Sequence, residues 1–201
     1  LDISDSTVAL SRMRTCTVQI GAVGTKTPMK HPSVRELYDY WNARRGLCAA
    51  PERSDIEPGA IRHLLADTFI VAFDARAGHP FRIAGTRVCA AFGRELKGQA
   101  FVTMWNRESQ AFVRDLLSVV AHETIGVVAG VHGMSTEGSR LELELLALPL
   151  RHRAGTDARI LGVLAPIEVP YWFGVSTLGH LSLNSIRYLR PHDNPVVRPA
   201  P

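Results

Sequence analysis

From Ser139 to Val169 the chain reads SRLELELLALPLRHRAGTDARILGVLAPIEV. In Leu141-Glu142-Leu143-Glu144-Leu145, apolar and acidic residues alternate. That period of two belongs to a strand with one dry face and one wet face. The parity then flips. Leu146, Leu148 and Leu150 put a second apolar row on the opposite face. Arg151 to Asp157 carries Gly155 among polar neighbours, a loop of hairpin length. The returning run, Arg159 to Val169, places Ile160 and Leu164 on one face and Leu161, Val163, Ala165 and Ile167 on the other. Pro166 and Pro170 mark where pairing ends. An antiparallel sheet with one solvated face should alternate cleanly. Here either a bulge switches the register, or something covers the second face. Cover is favoured: a terminal helix of the same chain, a partner subunit, or both.

The chain has 201 residues, room for one domain with flanks. Its 46% hydrophobic and 21% charged content is that of a globular protein. The net charge of +4 is scattered, with no Lys/Arg block of the kind that marks a nucleic-acid patch, so no nucleic-acid partner is expected. Cys16, Cys48 and Cys89 are far apart and form no CxxC, so no zinc site is expected. An odd, sparse cysteine count fits a reducing compartment. No run approaches the roughly 18 apolar residues of a membrane span, and the first residues lack a signal peptide's apolar core. A soluble, cytoplasmic protein is expected.

Residues 1–28 lack periodicity and read as a loosely ordered arm, with Met29 a candidate natural start. Ser33-Val34-Arg35-Glu36 reads as a capping box. A helix follows with Val34, Leu37, Tyr38 and Trp41 on one stripe, ended by Gly46. That stripe either packs the helix on its own domain, or covers the sheet's second face or pairs with another subunit; the readings are compatible, and the last makes these residues the interface candidates. Ser54-Asp55-Ile56-Glu57 reads as a second capping box with Pro58 in the first turn, opening a short helix with Ile61, Leu64 and Leu65 inward. Thr68 to Phe73 and Phe81 to Ala84 read as a strand hairpin around Gly78. Val88, Cys89 and Phe92 mark a short helix stopped by Gly93. From Asn106, a plausible N-cap, a longer helix runs to about Glu123 with Phe112, Val113, Leu116, Leu117 and Val120 inward. Ile125 to His132 is a third strand. After Phe173 a tail, 174–201, has enough apolar residues (Leu178, Leu181, Leu183, Ile186, Tyr188) to dock in part, and its prolines from Pro191 argue disorder.

Two strands, then helices, then a three-strand meander is an order similar to the PAS fold. The segment Phe81-Arg82-Ile83-Ala84-Gly85-Thr86-Arg87-Val88-Cys89-Ala90-Ala91-Phe92-Gly93-Arg94-Glu95-Leu96-Lys97-Gly98 resembles the PAS pattern of strand, short helix ending in Gly, and polar stretch with a second Gly. More narrowly, Leu37-Tyr38-Asp39-Tyr40-Trp41, Arg45-Gly46, Ala50-Pro51-Glu52-Arg53, Asp55-Ile56-Glu57-Pro58 and Glu144-Leu145-Leu146 resemble compact single-PAS proteins of alphaproteobacteria. The resemblance covers about 29–173. It implies an α+β domain: a five-stranded antiparallel sheet with connecting helices on one face, plus an N-terminal helix and a C-terminal tail. It also implies a ligand cavity between sheet and helices, whose candidates are Phe92, Phe101, Trp105, Phe112, Leu116, Leu143 and Leu145.

No cofactor is assigned. Cys89 lies where flavin photoreceptors of the class carry a reactive thiol, but its neighbours Val88 and Ala90 lack their motif, so it reads as a small core residue. Haem would need an axial histidine facing the cavity. His132 is the residue to test, and haem is disfavoured. His122 reads as a helix C-terminal partner. No Gly-x-Ser-x-Gly elbow, phosphate loop, dinucleotide fingerprint or paired-histidine metal motif is present. Glu142 and Glu144 share a face and read as the solvated side of a strand. The expectation is a single-domain PAS sensor or adaptor in bacterial signalling. It would act through protein contact, with a homodimer and a small cavity ligand left open. The alternative is a small enzyme on a similar curved sheet, with no recognisable catalytic motif.

Overall fold

The computed structural model describes residues 29–152 and 158–189, together with the backbone of Gln19 and Ile20. The rest of the expected N-terminal arm, most of the turn around Gly155 and the proline-rich end lie outside the described residues. The elements are β1 (Gln19–Ile20), α1 (Pro32–Arg45), β2 (Thr68–Ala72), β3 (Phe81–Ala84), α2 (Thr86–Ala91), α3 (Arg107–His122), β4 (Gly126–Ser135), β5 (Arg140–Leu150), β6 (Arg159–Pro166) and β7 (Leu178–Leu189). Short 3-10 turns occupy Arg53–Asp55 and Phe101–Met104.

The strands form one sheet in the order β1-β7-β4-β5-β6-β2-β3. All neighbours are antiparallel except β1 and β7. The five expected strands are there, flanked on the β4 side by β7 and then β1. The expected tail is therefore a sheet strand as far as Leu189. Leu178, Leu181, Leu183 and Ile186 are buried in the core, whereas Tyr188 is exposed. Their spacing hides the strand. The β4–β7 register shifts twice, between Gly130 and Val131 and between Gly133 and Ser135. Each shift gives β7 one extra residue and breaks its period of two.

The parity flip in β5 is resolved as cover. Pairing runs unbroken from Val127↔Ala147 to Met134↔Arg140 on one side and from Leu143↔Pro166 to Leu150↔Arg159 on the other. No bulge switches the faces. Leu141, Leu143, Leu145 and Ala147 pack on the inner face with α2 and α3. Leu146, Leu148 and Leu150 pack on the outer face with Val34, Leu37 and Trp41 of α1. The helix is stapled there: Trp41 Nε1 donates to Pro149 O at 2.8 Å. Three of the four interface candidates, Val34, Leu37 and Trp41, are thus buried against the chain's own sheet. Half-buried Tyr38 stacks on Trp41 with ring centroids 6.2 Å apart.

Helix starts differ from the sequence reading. α1 is capped by His31, whose Nδ1 accepts from Ser33 N, and Glu36 is instead bonded to His63. Gly46 at φ 54° ends the helix, a left-handed conformation that glycine adopts without strain. The second box sits two residues earlier, formed by Glu52 and Asp55. Beyond it no helix forms: Ala60, Ile61, Leu64 and Asp67 each donate to a carbonyl three residues back. Pro58 and Gly59 in this stretch disfavour a regular α-helix. Asn106 caps α3 as its sequence indicates, accepting from Ser109 N at 2.9 Å.

Candidate functional site

The inner face holds most of the residues proposed to line a cavity. Phe92, Phe101, Trp105, Leu116, Leu143 and Leu145 are buried there, and Phe112 packs partly buried at the margin. Their rings interlock. Phe69 lies 5.4 Å from Phe101 and 5.9 Å from Phe81, and Phe101 lies 5.8 Å from Trp105. These large side chains pack together in the layer between sheet and helices. Trp105 Nε1 is buried there with no hydrogen-bond partner among the described residues.

His132 is not part of this layer. Its β4 position pairs with Glu142, whose strand parity assigns both to the outer face. Its Nε2 lies 2.7 Å from Arg140 Nη2 and 3.8 Å from Glu142 Oε1. Burial and the Arg140 charge lower its pKa against the pull of Glu142. It therefore cannot serve as an axial ligand in the inner layer, which corrects the cavity assignment. Cys89 is half-buried against that layer. Burial, together with Glu95 at 3.7 Å, raises its pKa, so the thiol is held protonated rather than activated. His122 makes an edge contact with Phe73 at 4.9 Å. Among the described residues no group of three His, Cys, Asp or Glu could hold a metal ion.

Glu144 is the second correction. It is 5% exposed, not solvated. Its oxygens accept from Lys30 N at 2.9 Å and His31 N at 2.7 Å. It fixes the lead-in to α1, with two charge-assisted bonds replacing water. Glu142 remains on the solvated edge with Arg140 at 3.5 Å.

One pocket lies on the outer face, beyond the reach of α1. There the turns of 53–66 arch over β2, β3 and β6 and leave a pocket of about 340 Å³. Ile56, Ile61, Ile70 and Leu161 form its floor and walls, and Leu65 and Ile83 stand at its mouth. Leu65 and Ile83 are 38% and 48% exposed. Gly85 permits the arch: a Cβ there would meet Leu65 O at 2.2 Å and Ala66 O at 2.3 Å. Arg53 is the one charged side chain in the lining, and Thr68 and Thr86 bring hydroxyls. The Thr68 hydroxyl already donates to Leu64 O at 2.8 Å. Next to the pocket, Asp67 is 1% exposed and paired with Arg87 Nη1 at 2.6 Å, and burial holds its pKa above the usual value in spite of that partner. The pocket escaped sequence reading because it is built on non-periodic turns.

This geometry sits on a recognised scaffold. A family model described as PAS domain matches residues 29–165, and the chain belongs to that family. Among solved structures it is similar to an RNA-binding Light-Oxygen-Voltage receptor, with 14% identity and a TM-score of 0.43 over 61% of this chain and 34% of that one. It thus spans about a third of that receptor. It is also similar to the dark structure of the blue-light photoreceptor Aureochrome1 LOV, with 11% identity, TM-score 0.41, and 58% and 85% of the two chains covered. A third similar structure is the PAS domain of an HTR-like protein from Haloarcula marismortui, at 18% identity and TM-score 0.39 over 54% and 89%. No curated protein matches the sequence. The PAS fold supports a sensory or signalling role. No helix among the described residues is long and apolar enough to cross a membrane.

Proposed function

We propose that this chain is a sensory PAS module that signals through contact with a protein partner, under the control of a small molecule on the outer face of its sheet. One observation carries the reading. Leu65 and Ile83 are at once lining residues of the pocket and exposed apolar surface. A ligand that fills the pocket therefore changes the surface a partner meets. Coupling of this kind needs only that the ligand and the partner prefer the same, or opposite, arrangements of the 53–66 arch. The sheet edge supports it. β3 is the terminal strand of the sheet order on this side, with its Phe81 end bonded to Gly98 and Gln99, and terminal strands are where proteins most readily accept another chain.

The test is site-specific photocrosslinking in the host cell. A crosslinking residue at position 83 is compared with one at exposed Glu108, on the first turn of α3. A defined protein captured from position 83 and not from position 108 supports the reading. Equal capture, or none from 83, overturns it.

A further inference from the structure

Arg53 is held beside an apolar pocket with no carboxylate among the described residues to answer it. Its backbone is pinned, because Arg53 N donates to Arg151 O at 2.8 Å. Its guanidinium makes one long bond, from Nη1 to Ile56 O at 3.4 Å. The three nearest carboxylates in sequence are committed elsewhere. Glu52 pairs with Arg151 at 3.1 Å, Asp55 accepts from Glu52 N at 2.9 Å, and Glu57 pairs with Arg44 at 3.3 Å. Among the described residues no ion pair reaches Arg53 itself.

From this we infer that the outer pocket binds a small apolar carboxylic acid, with Arg53 as the partner of its carboxylate. The inference rests on the reading of this pocket as the sensory site. Charge sets the head group: a half-buried guanidinium meets a carboxylate through paired N–H donors, and such bonds are about twice as strong as neutral ones. The walls set the tail, since Ile56, Ile61, Ile70 and Leu161 offer nothing but apolar surface. Volume sets the size. At about 340 Å³ the pocket lies at the small end of the ligand-site range of about 300–1,000 Å³. With about 30 Å³ per water-sized group, it holds roughly eleven such groups. That admits a medium-chain or single-ring acid and excludes a flavin, a haem or a two-chain lipid.

The test is calorimetric titration of the full chain with octanoate and with 1-octanol, its neutral counterpart of nearly equal size. Octanoate should bind at least about tenfold more tightly, the effect of one charge-assisted contact. Arg53→Met should erase that preference while leaving octanol affinity unchanged within about threefold, because the apolar walls are kept. Ile83→Trp, a change at the exposed mouth that spares the core, should block both ligands. Equal affinity for octanoate and octanol overturns the inference, as does a preference that survives Arg53→Met or the absence of octanoate binding. Self-association that octanoate does not displace and Ile83→Trp abolishes would assign the pocket to a second copy, which also overturns it. The two readings separate cleanly. Octanoate bound through Arg53 without any change in crosslinking at position 83 would keep the ligand and remove the contact mechanism.

Discussion

The two faces of this sheet are built from the same strands and reach opposite ends. The inner face is packed with rings: Phe69, Phe81, Phe101 and Trp105 interlock beneath α2 and α3. The outer face is half covered. At its β4–β5 end α1 packs with Val34, Leu37 and Trp41. At its β2–β3 end the arch of 53–66 leaves a pocket and two exposed apolar residues at its mouth. The difference teaches that large side chains decide where a sheet has room. Close-packed interiors leave few voids larger than water. Room survives where turns, which bury less, take the place of a helix.

The largest expected effect sharpens this contrast. Trp105→Ala should destabilise the fold by about 3–5 kcal/mol, the cost of removing a fully buried aromatic and leaving a cavity. Ile83→Ala at the pocket mouth should stay within about 1 kcal/mol. Urea unfolding of both variants checks this, and similar losses would break the comparison.

Next comes the joint between sheet and α1. Glu144→Ala removes two charge-assisted bonds from a buried site and should cost about 2–4 kcal/mol, whereas Glu142→Ala, one step along the solvated part of the same face, should cost less than about 0.5 kcal/mol. Amide exchange of α1 should rise in the first variant and not in the second.

A pH effect of intermediate size belongs to the inner side. His79 is 1% exposed, and burial first, then Arg114, lowers its pKa against the pull of Asp74. The unfolded chain then binds this proton more readily than the folded one. Stability attached to His79 is complete above the unfolded value near 6.5 and falls as pH drops below it, by up to about 1.4 kcal/mol per pH unit. His79→Asn, which suits the φ of 60° at this position, should flatten that decline between pH 7 and 5. Identical pH profiles for the two proteins would refute the assignment. The smallest expected effect is Trp41→Phe. It deletes the bond to Pro149 O but keeps most of the packing, and should lower stability by about 1 kcal/mol in the same urea assay.

Much of the fold was legible because alternation and caps are local signals. The β2–β3 and β5–β6 hairpins, the cap at Asn106 and the stop at Gly46 all follow from residues near one another in sequence. The parity flip at Leu146 announced a cover over the second face, without choosing between a terminal helix of the chain and a partner subunit. What sequence hid was set at long range. β7 was hidden by its two bulges, which put Leu178 and Leu181, and again Leu183 and Ile186, three residues apart. Glu144 looked solvated because strand alternation gives a residue's face and not its cover; the start of α1, more than a hundred residues away, lies on it. His132 shares parity with Gly126, Val128 and Gly130, and only pairing opposite Glu142 places it outside. The outer pocket had no sequence signal of its own, and residue type drew attention to the inner face because aromatic residues line pockets and fill cores alike.

A small molecule sensed by this domain should bind on the outer face of the sheet, in the pocket under the 53–66 arch. Methyl-resolved NMR during an octanoate titration addresses it directly. Shifts are expected at Ile56, Ile61, Leu65, Ile70, Ile83 and Leu161, with Leu116, Leu143 and Leu145 unmoved. Shifts concentrated at Leu116, Leu143 and Leu145 would place the ligand among the rings of the inner face and contradict it.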